Sequence, residues 1–249
     1  MKDLEARMRA REWFHSLTLL PGAWAVVRVD GRSFSRFTEA NFDKPFDPRF
    51  RDLMVGAATT LLTELGGRYA YTESDEISVV LDPSFDLFGR EVEKLVSLSA
   101  GIATAAFTHA AGQPAVFDGR VWMGTCLDDV IGYLLWRRAD AARCALNTWC
   151  YWTLRKEGLS ARRAGREMER TPAGEKKKLL LSHGVNFSAV PAWQRHGIGL
   201  WWETYEKTGH DPIRDTYVTA TRRRIRAEHD LPLDDAYRDL LGGVLRPTA

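Results

Sequence analysis

Two short stretches carry residue types that could do chemistry. In Val27-Arg28-Val29-Asp30-Gly31-Arg32, a β-branched apolar run stops at an Asp-Gly pair. In Thr72-Glu73-Ser74-Asp75-Glu76-Ile77, a second acidic group sits between two further apolar runs. Two carboxylates fixed on one sheet edge can hold two magnesium ions about 3.5–4 Å apart, activating an attacking hydroxyl and stabilising a leaving pyrophosphate. Magnesium takes carboxylate oxygens and substrate phosphates while keeping waters. Gly31 lets the backbone approach closely, and its carbonyl can serve as a ligand. Each motif alone is also an ordinary turn signal. Arg28 shares the Asp30 face of its strand, and Arg32, Ser33, Ser35 and Lys44 follow the turn. Backbone amides and cations in such a loop can cradle a triphosphate.

The elements that must position these acids can be read in order. Residues 1–18 are expected to be an amphipathic helix, broken by Pro21-Gly22. Residues 23–29 read as a buried strand and residues 30–45 as a loop. Asp47 and Pro48 start a helix that Gly66-Gly67 stops. Residues 68–72 and 77–81 read as strands joined by a tight turn, 86–110 as a helix, and 116–123 as a strand interrupted at Asp118-Gly119. The order is β-α-β-β-α-β. A right-handed crossover makes the first two strands parallel, and the tight turn makes the third antiparallel to both. With the third strand beside the first, Asp30 and Asp75 meet on one sheet edge.

After residue 127 the chain changes character. A long helix runs through Trp136, Asn147 and Trp152 to Glu157, with both tryptophans assigned to the core. Residues 160–182 read as one basic helix with Arg162, Arg166 and Arg170 on one face, followed by Lys176, Lys177 and Lys178. Residues 193–205 and 213–224 read as two extended segments, closed by Arg222, Arg223, Arg224 and Arg226, and the last twenty residues as a short helix and a tail. These basic clusters could track an RNA backbone or simply form solvated faces. The fold class expected is α+β: a ferredoxin-like βαββαβ antiparallel sheet flanked by helices, with a helical and β-ribbon extension. Residues 1–127 form the catalytic core and 128–249 complete it and bind RNA, as one compact domain.

The bulk composition is that of a globular chain. Hydrophobic residues make up 45% and charged residues 27%, and the net charge of +2 is too small to announce a nucleic-acid partner by itself. No apolar run approaches the ~20 residues of a membrane span. Residues 1–11 lack the apolar core of a signal peptide. The three cysteines have neither disulfide nor metal spacing, which points to reduced thiols in the cytoplasm. No Walker-type loop or His-Glu-x-x-His sequence is present.

Several stretches together resemble the tRNA(His) guanylyltransferase superfamily. They are Val27 to Phe37, Asn41-Phe42-Asp43-Lys44-Pro45, Ser74-Asp75-Glu76-Ile77-Ser78, Phe117-Asp118-Gly119-Arg120-Val121 and Tyr133 to Asp140, in the family's order. The resemblance covers roughly residues 20–205. It implies a polymerase-like palm that adds nucleotides to RNA 5′ ends, using ATP or GTP to activate a 5′-monophosphate and a nucleoside triphosphate as the unit added. It implies that Asp30, Gly31 and Asp75 hold two Mg2+ ions and that Glu76 supports them. It implies nucleotide contacts at Arg32, Ser33, Phe34, Ser35, Lys44 and Ser74, and further ones at Asn147 and Lys176. It implies tRNA as partner and a homotetramer built as a dimer of dimers. The eukaryotic enzymes carry a histidine in the stretch matching Ala141 to Asn147, and this chain has none there. Ser35 replaces another histidine of that form. The chain therefore looks like the bacterial and archaeal branch, associated with templated repair of 5′-truncated tRNAs. The residues themselves also allow a nucleotidyl cyclase, another palm-type enzyme, or an RNA-binding module without catalysis.

Overall fold

The computed structural model describes residues 2–169 and 171–246. Its organising element is a six-stranded sheet in the order β4-β1-β3-β2-β5-β6, antiparallel at every pairing. The strands are β1 (Trp24–Gly31), β2 (Tyr69–Glu73), β3 (Glu76–Leu81), β4 (Phe117–Gly124), β5 (Ile198–Asp211) and β6 (Thr216–Glu228). The helices are α1 (Lys2–Arg9), α2 (Phe34–Asn41), α3 (Pro48–Glu64), α4 (Val92–Ala111), α5 (Leu127–Lys156), α6 (Ala161–Met168), α7 (Ala173–Ser182), α8 (Ala192–His196) and α9 (Asp234–Leu245).

Period-2 alternation gives the central strands two buried faces. Ala25, Val27 and Val29 of β1 join Leu61, Leu62, Leu95 and Phe107 from α3 and α4. Trp24 and Val26 point the other way, to Leu134 of α5 and Tyr237 and Leu241 of α9. The βαββαβ order and the strand directions are as expected, and β3 does lie beside β1, the condition on which the meeting of Asp30 and Asp75 rests. Asp47 caps α3 by accepting from the Arg49 amide at 2.8 Å, with Pro48 in the first turn.

Four expectations change. The first helix ends at Arg9, and turns follow it, because no residue of α1 is buried to hold a longer one. The 30–45 stretch contains α2, whose buried Phe34 anchors a run dense in loop formers. β4 runs unbroken through Asp118-Gly119, because Gly119 lets the strand press against α4: a Cβ there would lie 2.8 Å from the Val96 carbonyl oxygen. The 160–182 stretch is two helices, α6 and α7, with Pro172 capping the second.

Candidate active site

β1 and β3 run antiparallel with Asp30 opposite Glu76, and the Gly31 amide donates to the Asp75 carbonyl oxygen at 3.0 Å. The end of β1 and the turn before β3 are thereby tied together, as the topology argument expects for Asp30 and Asp75. Register extends the relation across the sheet. Asp118 of β4 faces Asp30, and Glu73 of β2 faces Glu76, so Asp118, Asp30, Glu76 and Glu73 form one cross-strand row on the α5 side. Two residues further in lies a second row of Arg120, Arg28, Ser78 and Tyr71.

This edge is short of positive charge. Burial, then the neighbouring Asp30, pushes the Asp75 carboxyl up to about 6. Burial, then Asp118, raises Asp30 above the usual carboxylate range. Burial, then Glu76, pushes Glu73 up to about 8. The one strong counter-charge is Arg137 of α5, which donates from Nε to Glu76 Oε1 at 2.7 Å and from Nη2 to Glu76 Oε2 at 2.8 Å. Its Nη2 also lies 3.1 Å from Asp140 and 3.5 Å from Glu73. Glu76 is thus occupied, while Asp30 and Asp75 lack a basic partner within ion-pair distance among the described residues. Among those residues no group of three or more His, Cys, Asp or Glu side chains is arranged to hold a metal. The two carboxylates without a basic partner offer oxygen donors of the kind magnesium takes, an ion that completes its shell with water and substrate phosphate.

A cavity of about 440 Å³ opens beside Asp75. Phe34, Ser35 and Lys44 line it from one side, Ser74 and Asp75 from the sheet edge, and Cys144, Tyr151 and Trp152 of α5 from the other. Lys44 Nζ bonds Thr38 Oγ1 at 2.5 Å and lies 5.6 Å from the Trp152 ring centre. Burial lowers its pKa, against the pull of Glu39 and Asp75.

The other expected site residues lie in several places. Arg32 and Ser33 are exposed at the turn after β1, with Ser33 in the left-handed region at φ 63°. The Phe34 ring is buried among Phe37, Phe50, Phe107 and Phe117, so its rim at the cavity is narrow. That ring also explains Gly31, where a Cβ would overlap it. Arg28 turns to Glu76, at 3.6 Å, and to the Trp136 ring. Asn147 of α5 and Lys176 of α7 meet in a 2.8 Å hydrogen bond. Asn147 lines a second, smaller cavity that shares Tyr151 and Trp152 with the first. Arg162 and Arg166 are exposed on α6, and Lys177 and Lys178 on α7, where Lys178 pairs with Glu175. Arg170 lies outside the described residues. Arg222 and Arg223 are exposed but alternate across the β5–β6 ribbon. Arg223 covers Trp202, and Arg222 is cross-strand from Tyr205.

Arg137, Asp118 and Trp136 were not expected at this edge. The signal for Arg137 lies in its helix: it interrupts the buried stripe Val130, Leu134, Ala141, Ala145, so it must have a buried acidic partner. Asp118 depends on the β1–β4 register, which no local pattern fixes. Trp136 is exposed rather than core, because α5 turns its neighbours Tyr133 and Leu134 inward instead.

Comparison with known proteins gives this geometry a context. The family model "Thg1: tRNAHis guanylyltransferase" matches residues 5–125, and "Thg1 C terminal domain" matches 128–234. A probable tRNA(His) guanylyltransferase of Dictyostelium discoideum is 33% identical over 85% of this chain and 86% of its own length. That of Mus musculus is 32% identical over 88% and 81%. A bacterial Thg1-like protein solved with GTP superposes with a TM-score of 0.76 at 25% identity, covering 98% of this chain and all of that one. The Saccharomyces cerevisiae enzyme gives 0.69 at 28% identity, over 76% and 90%. The family match over this palm-type fold indicates a nucleotidyltransferase. Within that class the chain belongs to the tRNA(His) guanylyltransferase family.

Proposed function

We propose that this enzyme adds nucleotides to the 5′ end of tRNA in the 3′–5′ direction, and that its role is templated repair of shortened 5′ ends. The observation that carries the reading is the Gly31–Asp75 backbone bond, which ties together at one sheet edge two carboxylates that have no basic partner among the described residues. Asp30, Asp75 and the Gly31 carbonyl are the ligands for two magnesium ions. When bound, these supply charge stabilisation of the phosphates and an activated hydroxyl. Arg137 pairs with Glu76 behind them. Lys44, Ser35 and Ser74 bind a triphosphate in the 440 Å³ cavity, and Arg32 and Ser33, exposed at the turn after β1, add further nucleotide contacts. Nucleotide use is supported by the GTP and ATP complexes of the bacterial relative. ATP or GTP activates a 5′-monophosphate, whereas a 5′-triphosphate end needs no activation. Asn147 and Lys176, joined across α5 and α7, take a second triphosphate.

Residues 1–127 serve the chemistry and 128–249 the tRNA, through Arg162 and Arg166 on α6, Lys177 and Lys178 on α7, and Arg222 and Arg223 on the ribbon. The missing histidine after Asp140 favours the bacterial and archaeal branch. Exposed Trp13, Phe14, Leu17 and Leu20 favour subunit contacts, and hence the homotetramer. Among the described residues no helix is long and apolar enough to cross a membrane, and the three free thiols favour a cytoplasmic enzyme.

The test is a tRNA lacking its first 5′ nucleotide, incubated with enzyme, magnesium, ATP and all four nucleoside triphosphates, with product 5′ ends sequenced. Restoration of the base complementary to the opposing strand is expected. Guanosine added only to tRNA(His) would contradict repair. Absence of extension even from a 5′-triphosphate end would contradict tRNA extension and return the cyclase and the inactive binder.

A further inference from the structure

Trp136 is 54% exposed, although its neighbours Tyr133, Leu134 and Arg137 are all buried. A single exposed apolar residue is ordinary, and position is what sets this one apart. Its ring meets Tyr133 edge-on at 5.6 Å between centroids. The guanidinium carbons of Arg137 and Arg28 lie 4.6 and 5.8 Å from its centre. Arg28 stands two residues before Asp30 on the same face of β1, a rise of roughly 7 Å. The indole is therefore held by a rigid strand and a rigid helix about one nucleotide's reach from the acidic edge. Arg28 Nε is buried and has no hydrogen-bond partner.

Sidedness separates this ring from the cavity. Thr72, Glu73 and Ile198 of β2 and β5 line the cavity, whereas Trp136 lies over β1, and its Tyr133 neighbour touches Trp122 of β4. The row of carboxylates leads from one to the other, from Asp118 on β4 to Glu73 at the cavity. An enzyme joining a free nucleotide to a polymer must bring two nucleotides to one reacting phosphate. The enclosed side suits the free nucleotide. The open side suits the polymer end, which arrives with a bulky duplex behind it.

We propose that Trp136 is the stacking platform for the 5′-terminal base of the RNA, with exposed Arg120, cross-strand from Arg28, meeting the backbone phosphate that follows. The proposal rests on the reading of Asp30 and Asp75 as the transfer site. Base stacking on an aromatic ring is tolerant of sequence, which an enzyme that extends different 5′ ends requires. Arginines flanking an indole complement a base on a phosphate chain better than they complement an arginine-bearing second copy of this surface.

The experiment uses a tRNA whose 5′-terminal nucleotide is 5-iodouridine, irradiated on the full-length enzyme, with the crosslinked peptide located by mass spectrometry. Binding and extension are measured in parallel for wild type, Trp136→Phe, Trp136→Leu and Asp30→Asn. The crosslink is expected at Trp136. Trp136→Leu is expected to weaken tRNA binding on the order of tenfold, Trp136→Phe much less, and GTP binding is expected to hold in both. A crosslink mapping to the cavity residues, or unchanged tRNA binding in Trp136→Leu, would overturn the platform. So would a change of oligomeric state in Trp136→Leu with tRNA binding intact, which would make the ring a subunit contact. Asp30→Asn separates the two levels. If it still extends tRNA, the transfer-site reading fails. If it is inactive while the crosslink misses Trp136, only the platform fails.

Discussion

Arg137 and Glu76 form a two-pronged pair, with Nε–Oε1 at 2.7 Å and Nη2–Oε2 at 2.8 Å, in which neither residue is more than 7% exposed. The pair joins the long helix to the acidic end of the sheet. It also fixes which carboxylates are free, because the guanidinium is committed to Glu76 and Asp140 and reaches Glu73 only at its margin.

Breaking one side of a buried ion pair leaves the other charge stranded. Arg137→Met should therefore cost about 3–5 kcal/mol of stability. Arg137→Met combined with Glu76→Gln should recover part of that loss, since the Glu76 charge is no longer stranded. Urea unfolding of the two single variants and the double variant checks this. A double variant no more stable than the sum of the singles would contradict the pairing.

Asp47 anchors α3 by accepting from the Arg49 and Asp43 amides, each at 2.8 Å. Bonding to Arg49 holds its carboxyl down at about 2, below the ordinary 3.8. A depressed carboxylate stabilises the fold above its unfolded pKa and stops doing so as pH falls through its folded one. Asp47→Ala should cost about 1–2 kcal/mol at neutral pH. The gap to wild type should stay level down to about pH 4 and narrow as pH falls towards 2. Unfolding curves taken across that range decide it, and a gap that widens on acidification would refute the assignment.

Lys44 places its ammonium in the cavity beside Asp75, braced by Thr38 and Trp152. Charge-assisted bonds contribute about 1.5–3 kcal/mol. Lys44→Met should then weaken GTP binding by at least tenfold while leaving tRNA affinity within twofold. Calorimetric titration with GTP, beside a tRNA filter-binding assay, separates the two. Equal loss of both ligands would contradict the placement.

Much of this site was legible before any coordinates. The crossover and tight-turn rules give the strand directions, and with β3 beside β1 they bring Asp30 and Asp75 together. The Asp47-Pro48 start of α3 follows from local chemistry. Other features depend on tertiary contacts. The α2 helix is written in loop-forming residues and exists because Phe34 is buried. The partnership of Asp118 with Asp30 requires the β1–β4 register. The run of arginines at 222–226 reads as one patch, yet the ribbon's alternation sends Arg223 to Trp202 and Arg224 to Glu203 on opposite faces. Trp136 reads as core from its type, and only the rotation of α5 exposes it.

The central claim is that Asp30 and Asp75 together hold the catalytic metals. Its most direct test is Mn2+ binding followed by electron paramagnetic resonance, in the presence of GTP, for wild type, Asp30→Asn and Asp75→Asn. The account predicts two ions bound by the wild type, with at least one lost or strongly weakened in each variant while circular dichroism stays unchanged. Wild-type manganese binding in both variants would contradict it.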